Sequence, residues 1–98
     1  MENKGTLVVD LDGTICPIKK SNERYEDLKP YDNIVKKLKE YKKEGFRILI
    51  FTARQMRTHG GNLGLINVHT SRMTMNWLDK WDIPYDEIIF GKPWPGKG

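Results

Sequence analysis

Short runs of consecutive apolar residues mark three places along the chain, at residues 7–9, 48–51 and 88–90. Each run is continuous, whereas a strand with one solvent-exposed face would alternate apolar and polar residues. Continuous runs are typical of strands in a parallel sheet that is covered on both faces. We therefore predict three buried β-strands at these positions.

Two amphipathic patterns occupy the intervals between these strands and predict helices. In the first, Gly45 suits the end of a helix, and four apolar residues recur at helical spacing: Ile34, Val35, Leu38 and Tyr41. In the second, Thr70 or Ser71 is expected to cap the start, and Pro84 follows the end. The apolar face of this second helix is typical of a core and consists of Met73, Trp77, Leu78 and Trp81.

The order strand, helix, strand, helix, strand predicts the α/β class. Two right-handed β-α-β units give a Rossmann-like parallel sheet, with the strands in the order 1-2-3 and with helices expected on both faces. All 98 residues fit a single domain. Ligands of open α/β sheets bind at the carboxyl edge, and two segments leave from that edge. We interpret residues 15–30 as a flap-like insert and residues 53–69 as a substrate loop.

Composition narrows the functional classes. Hydrophobic residues make up 38% and charged residues 31% of the chain, a balance typical of a globular domain. No apolar run approaches the roughly 18 residues that a membrane helix needs. The single cysteine, Cys16, excludes an internal disulfide and a multi-cysteine zinc site, and it favours a cytoplasmic location. We expect Cys16 to serve as a small apolar filler of the core.

The net charge is +4, and cations crowd one segment: Lys36, Lys37, Lys39, Lys42, Lys43 and Arg47. A solvated helix face is the simplest interpretation of this segment. A nucleic-acid interface would favour aromatic residues among the cations, but Tyr41, the only aromatic residue there, falls on the apolar stripe. We therefore expect no nucleic-acid partner.

A pair of carboxylates follows the first predicted strand, in the Asp-Leu-Asp-Gly-Thr sequence at residues 10–14. One carboxylate of such a pair can attack an electrophile while the other delivers and removes protons. The alternative is a β-hairpin turn at the Asp-Gly step, which would pair residues 6–11 with residues 14–18. Pro17 would interrupt the second strand of that hairpin.

Two further polar side chains fall at strand ends, since Thr52 closes the second strand and Lys92 follows the third. The carboxyl ends of neighbouring parallel strands meet at one edge, so we expect these side chains to lie near Asp10 and Asp12. A nucleophile, a cation and a hydroxyl group at one place suit phosphoryl transfer, which depends on positioning and on stabilising the phosphoryl charge.

At these positions the sequence resembles the haloacid dehalogenase-like phosphohydrolases, whose first motif is Asp-x-Asp-Gly-Thr. Residues 10–14 match that motif, Thr52 is placed like the second motif, and Lys92 like the third. Other segments are similar to small bacterial capsular-polysaccharide biosynthesis phosphatases without a cap domain: residues 52–58, 61–62, 64, 66–67, 69–70, 85–87 and 91–94.

The resemblance implies a Mg²⁺-dependent phosphatase acting on a small phosphorylated substrate such as a sugar phosphate. In its terms, Asp10 is the nucleophile that forms an aspartyl-phosphate, and it is also a Mg²⁺ ligand. Asp12 is the general acid and base, and it binds Mg²⁺ through its backbone carbonyl. Thr52 and Lys92 hold the phosphoryl oxygens, and Lys92 also offsets the carboxylate charge.

The loop after the second strand carries the candidates for substrate recognition. Arg54, Arg57 and Asn62 are expected to contact the substrate, because guanidinium groups suit planar anions. The alternative for Arg54 and Arg57 is that they only brace the loop.

The chain departs from the family's pattern after Lys92. The family has a fourth, acidic motif beyond the third, and this sequence ends at Gly98 without one. We therefore expect a C-terminally incomplete core that lacks later strands, either as a truncation or as a chain completed by a partner subunit. The free edge of the first strand predicts a homo-oligomer. The alternative function is a degenerate, inactive phosphate-binding or assembly module.

Overall fold

A computed structural model describes residues 4–56 and 58–93 of the chain. A single turn of 3₁₀ helix at Tyr25–Asp27 precedes the first long helix. The remaining elements are, in chain order, β1 (Thr6–Val9), α1 (Asp32–Lys43), β2 (Arg47–Thr52), α2 (Leu63–Lys80) and β3 (Glu87–Phe90). Neither of the longer helices in these ranges combines the length and hydropathy needed to cross a membrane.

The three strands form one parallel sheet in the order β1-β2-β3. Val9 of β1 lies beside Ile50 of β2, which in turn lies beside Ile88 of β3. The predicted α/β class and strand order are therefore confirmed. The hairpin alternative is wrong, because β1 pairs with β2, and residues 12 and 16 share only an isolated bridge.

The buried core lies on one face of this sheet. Ile48 and Ile50 are fully buried there, in one cluster with Val35 and Leu38 of α1 and Trp77 and Leu78 of α2. Two right-handed crossovers that step in the same direction across a sheet place both helices on the same side. On the opposite face of the described sheet, Val8 is 65% and Ile89 is 45% exposed. Among the described residues, helices therefore cover one face of the sheet, whereas the sequence predicted helices on both faces.

Helix α2 begins eight or nine residues earlier than expected, since the sequence predicts Thr70 or Ser71 as its N-cap. Its N-cap is Asn62, whose side chain accepts a hydrogen bond of 3.1 Å from the backbone N–H of Leu65. Thr70 is fully buried inside the helix, and its hydroxyl donates to the side-chain oxygen of Gln55. The loop after β2 is therefore shorter than the predicted 53–69, because its second half belongs to α2.

The insert at residues 15–30 is anchored at its base. The backbone N–H of Tyr31 donates to the carbonyl of Ile15 at 2.8 Å, which closes the segment. The indole N–H of Trp77 donates to the carbonyl of Leu28 at 2.8 Å, so the segment is also fastened to α2. The insert therefore rises from the carboxyl edge of β1 on a fixed base.

Candidate active site

Asp10 and Lys92 form an ion pair at the carboxyl edge of the sheet. The Lys92 Nζ donates to Asp10 Oδ2 at 2.9 Å, although the two residues follow different outer strands. The other oxygen, Asp10 Oδ1, accepts from the backbone N–H of Leu11 at 2.8 Å, which orients the carboxylate. The side chains of Asp10 and Lys92 are 40% and 37% exposed. The pair is therefore open to a ligand from solvent.

Asp12 belongs to a second, more enclosed ion pair. Arg54 donates to both of its oxygens, from Nη2 to Oδ1 at 2.7 Å and from Nε to Oδ2 at 3.2 Å. The Arg54 side chain is fully buried, and that of Asp12 is 22% exposed. Two parallel hydrogen bonds of this kind fix the plane of the carboxylate as well as its position.

Three further residues surround the guanidinium of Arg54. Its Cζ lies 4.3 Å from the centre of the Tyr25 ring, in the insert. Its Nη1 donates to the Thr74 hydroxyl of α2 at 3.4 Å, and its Nη2 lies 3.7 Å from the Sγ of Cys16. Arg54 is thus turned inward, with its side chain fully buried and its guanidinium hydrogen-bonded to Asp12 and Thr74. Its pairing with Asp12 was not predicted, because nothing in the local sequence links two residues 42 positions apart.

Thr52 is buried where β2 ends. Its hydroxyl oxygen accepts from the backbone N–H of Arg54 at 3.0 Å, and only 1% of the residue is exposed. Its carbonyl accepts from the backbone N–H of Lys92 at 3.1 Å, which ties the ends of β2 and β3 together. A hydroxyl that accepts one hydrogen bond still has its own proton to donate.

The other two predicted substrate contacts are Asn62 and Arg57. Asn62 caps α2, so the side-chain oxygen of Asn62 is committed to the backbone of that helix. Arg57 lies outside the described residues. Of the predicted site residues, the structure therefore pairs Asp10 with Lys92 and joins Asp12 to Arg54. Thr52 links the two pairs, since its hydroxyl accepts from the backbone of Arg54 and its carbonyl accepts from the backbone of Lys92.

Burial decides the chemistry of Cys16 and Tyr25, which flank the Arg54 guanidinium. Removal from water, reinforced by the nearby Asp12 carboxylate, raises the pKa of the Cys16 thiol to about 12. Burial, again reinforced by Asp12, raises the pKa of the Tyr25 hydroxyl above its ordinary value. Both groups stay protonated near neutral pH, so neither supplies an anionic nucleophile beside the Arg54 guanidinium.

The oxygen atoms at this edge fit Mg²⁺ as an incomplete set of ligands. Mg²⁺ is commonly held by one or two carboxylates together with phosphate oxygens and water. Asp10 offers such a carboxylate, since each of its oxygens makes one hydrogen bond and keeps a lone pair free. The described residues contain no cluster of three or more His, Cys, Asp or Glu side chains suited to a metal ion.

Fold and site together define a parallel α/β protein with an open ion pair, Asp10–Lys92, at the carboxyl edge of its sheet. No protein-family model matches the chain, and no curated protein matches it. The chain is similar to the crystal structure of an MCSG target from Vibrio cholerae, with 48% sequence identity and a TM-score of 0.86 over 93% of this chain and 72% of that one. It therefore belongs to the same family as that protein.

A more distant likeness is to a chain in the structure of the Pnkp1/Rnl/Hen1 RNA repair complex. There the sequence identity is 19% and the TM-score is 0.63, over 88% of this chain and 25% of that one. At this level of identity the likeness shows the α/β fold alone.

Proposed function

We propose that this chain is a Mg²⁺-dependent phosphatase of the haloacid dehalogenase-like type, acting on a small phosphorylated metabolite such as a sugar phosphate. The observation that carries the proposal is the Asp10–Lys92 pair, 2.9 Å apart and exposed at the carboxyl edge. It sets a nucleophilic carboxylate beside a cation that can neutralise phosphoryl oxygens. The match of residues 10–14 to the family's first motif adds support.

In the first step of the proposed reaction, an oxygen of Asp10 attacks the phosphorus atom of the substrate. The bond from phosphorus to the ester oxygen breaks, and that oxygen takes a proton from Asp12. The product is an aspartyl-phosphate on Asp10 and a free alcohol. Lys92 stabilises the negative charge on the phosphoryl oxygens throughout.

In the second step, water attacks the phosphorus atom and passes a proton to Asp12. The bond from phosphorus to the Asp10 oxygen breaks, inorganic phosphate leaves, and both carboxyl groups return to their starting states. The Asp10 carboxylate and the Asp12 carbonyl would hold Mg²⁺, which when bound adds positive charge beside the transferring phosphoryl group. We propose a cytoplasmic location as well, because a chain with a single cysteine, Cys16, and no internal disulfide is typical of a reducing compartment.

The test is hydrolysis of p-nitrophenyl phosphate with Mg²⁺ and with a chelator. We expect metal-dependent turnover that Asp10→Asn reduces by at least about 1,000-fold, because the amide is a poor nucleophile. The matched control is Asp82→Asn, since Asp82 is an exposed aspartate that pairs with Lys39 away from the site. Turnover that survives Asp10→Asn, or is absent from the unaltered chain, would contradict the proposal.

A second candidate function is an inactive phosphate-binding or assembly module. It is favoured by the small number of carboxylates at this edge, since no metal-binding cluster of three such groups occurs in the described ranges. Calorimetry with inorganic phosphate and Mg²⁺ separates the two functions. Phosphate binding that Lys92→Ala abolishes, with no turnover of any phosphate ester, would support the module.

A further inference from the structure

Arg54 is a buried cation that the proposed reaction does not use directly. Its side chain has no exposed surface, and its hydrogen bonds end on both oxygens of Asp12, the proposed general acid and base. A buried charge is costly unless it is paired, so loss of this contact would leave the Arg54 charge uncompensated. The Asp12 carboxylate is correspondingly held in one plane.

A second residue fixes the guanidinium from its other side. Tyr25 belongs to the insert at residues 15–30, and the centre of its ring lies 4.3 Å from the Cζ of Arg54. A guanidinium over an aromatic face is attracted electrostatically, and more strongly where water is excluded. Thr74 of α2 accepts a hydrogen bond from the edge of the same group at 3.4 Å.

We propose that Arg54 is a positioning residue that aims the carboxyl group of Asp12 at the leaving oxygen, and that Tyr25 clamps Arg54 in the required orientation. This inference rests on the proposed phosphatase function. Without the two-pronged contact the Asp12 carboxyl group can rotate, and proton transfer needs a donor within hydrogen-bond reach of its target. The guanidinium also stabilises the carboxylate that remains after the proton has left.

A positioning role for Arg54 predicts a dependence of kcat/KM on the leaving group that a purely structural role does not. A good leaving group such as p-nitrophenolate departs with little help from a proton, whereas the alkoxide of an alkyl phosphate needs protonation as it departs. The ratio kcat/KM reports the steps up to formation of the aspartyl-phosphate. If the Asp12 carboxyl group is no longer held in one orientation, kcat/KM must therefore fall more for an alkyl phosphate than for p-nitrophenyl phosphate.

The experiment measures hydrolysis of p-nitrophenyl phosphate and of β-glycerophosphate by the full chain and by Arg54→Lys. Lysine keeps the positive charge but cannot make the two parallel hydrogen bonds to Asp12. We expect kcat/KM to fall about 100-fold for β-glycerophosphate and less than about 10-fold for p-nitrophenyl phosphate. Equal losses of kcat/KM for both substrates, or no loss, would overturn the inference about Arg54. Turnover by the unaltered chain would still support the proposed phosphatase function in that case.

A second pair of variants decides the matter if Arg54→Lys does not fold. Tyr25→Leu removes the ring and is expected to lower kcat/KM for β-glycerophosphate about 10-fold. Tyr25→Phe keeps the ring and is expected to keep the kcat/KM of the unaltered chain. The control is Arg24→Gln, because Arg24 is a 73% exposed neighbour that pairs only with Glu26 among the described ion pairs. A chain with no turnover at all would overturn the phosphatase and this inference together.

Discussion

The carboxylates of Asp10 and Asp12 are two positions apart in the chain but meet different cations. Asp10 faces Lys92 at the open edge, and Asp12 faces the enclosed guanidinium of Arg54. A carboxylate beside a partly exposed ammonium can exchange that partner for a phosphoryl group. A carboxylate that accepts two hydrogen bonds from a buried guanidinium keeps its orientation. This difference in surroundings supports nucleophile and acid–base roles for Asp10 and Asp12 respectively.

Cys16 offers a test at the scale of a single residue. It is fully buried, as the prediction of a core filler required, and burial raises the pKa of its thiol to about 12. At pH 8 the native thiol is therefore almost entirely protonated. Unfolding returns its pKa toward the ordinary value of about 8.5, and the reactive thiolate becomes abundant.

We expect iodoacetamide at pH 8 to alkylate native Cys16 at least about 100-fold more slowly than the urea-unfolded chain. Mass spectrometry of quenched samples gives both rates. The variant Ser21→Cys adds a thiol at an exposed position of the insert and should react rapidly in the native protein. Native and unfolded rates within a few-fold of each other for Cys16 would show that the thiol is accessible.

At the scale of the element, the start of α2 shows how a local pattern can mislead. Thr70 and Ser71 are good cap residues by type, but Asn62 makes the capping bond and the helix continues through them. Thr70 lies inside the helix, where its buried hydroxyl donates to the side chain of Gln55 in the loop after β2 instead of capping the helix. Gly61 and Gly64 around the true cap weaken the helical pattern there.

We expect Asn62→Ala to lower the free energy of unfolding by about 1 kcal/mol, because one hydrogen bond to the first turn of α2 is lost. Urea denaturation followed by circular dichroism measures this change. The matched control is Asn76→Ala, since Asn76 is an exposed residue in the interior of the same helix, where alanine is a better helix former. Equal stability of Asn62→Ala and the unaltered chain would rule out the capping role.

At the scale of the whole molecule, β1 is an outer strand of the described sheet, and the face opposite the helices is apolar and exposed. An unpaired strand edge beside exposed apolar side chains favours association with another strand. We therefore expect the chain to form homo-oligomers through the β1 edge, in line with the interpretation of the sequence.

The test is sedimentation velocity at increasing protein concentration. We expect the unaltered chain to associate and Val8→Lys to shift it toward monomer, because a charge on an edge strand opposes pairing. Val68→Lys is the matched control, since Val68 on α2 is 66% exposed and Val8 is 65% exposed. A monomer at every concentration, or equal effects of the two variants, would speak against the β1 edge.

The sequence by itself determined the elements whose signals are local. Apolar runs located the three strands, helical spacing located the body of each helix, and the parallel order placed Asp10 and Lys92 at one edge. Those inferences succeed because strand periodicity and right-handed crossovers depend on neighbours along the chain.

Tertiary structure alone decided which way Arg54 points, which residue caps α2 and which face of the sheet is covered. The first two of these depend on partners more distant along the chain: Asp12 and Tyr25 for Arg54, and Gln55 for Thr70. A buried guanidinium must find a carboxylate, and a buried hydroxyl must find an acceptor, but only the packed fold determines which one is within reach.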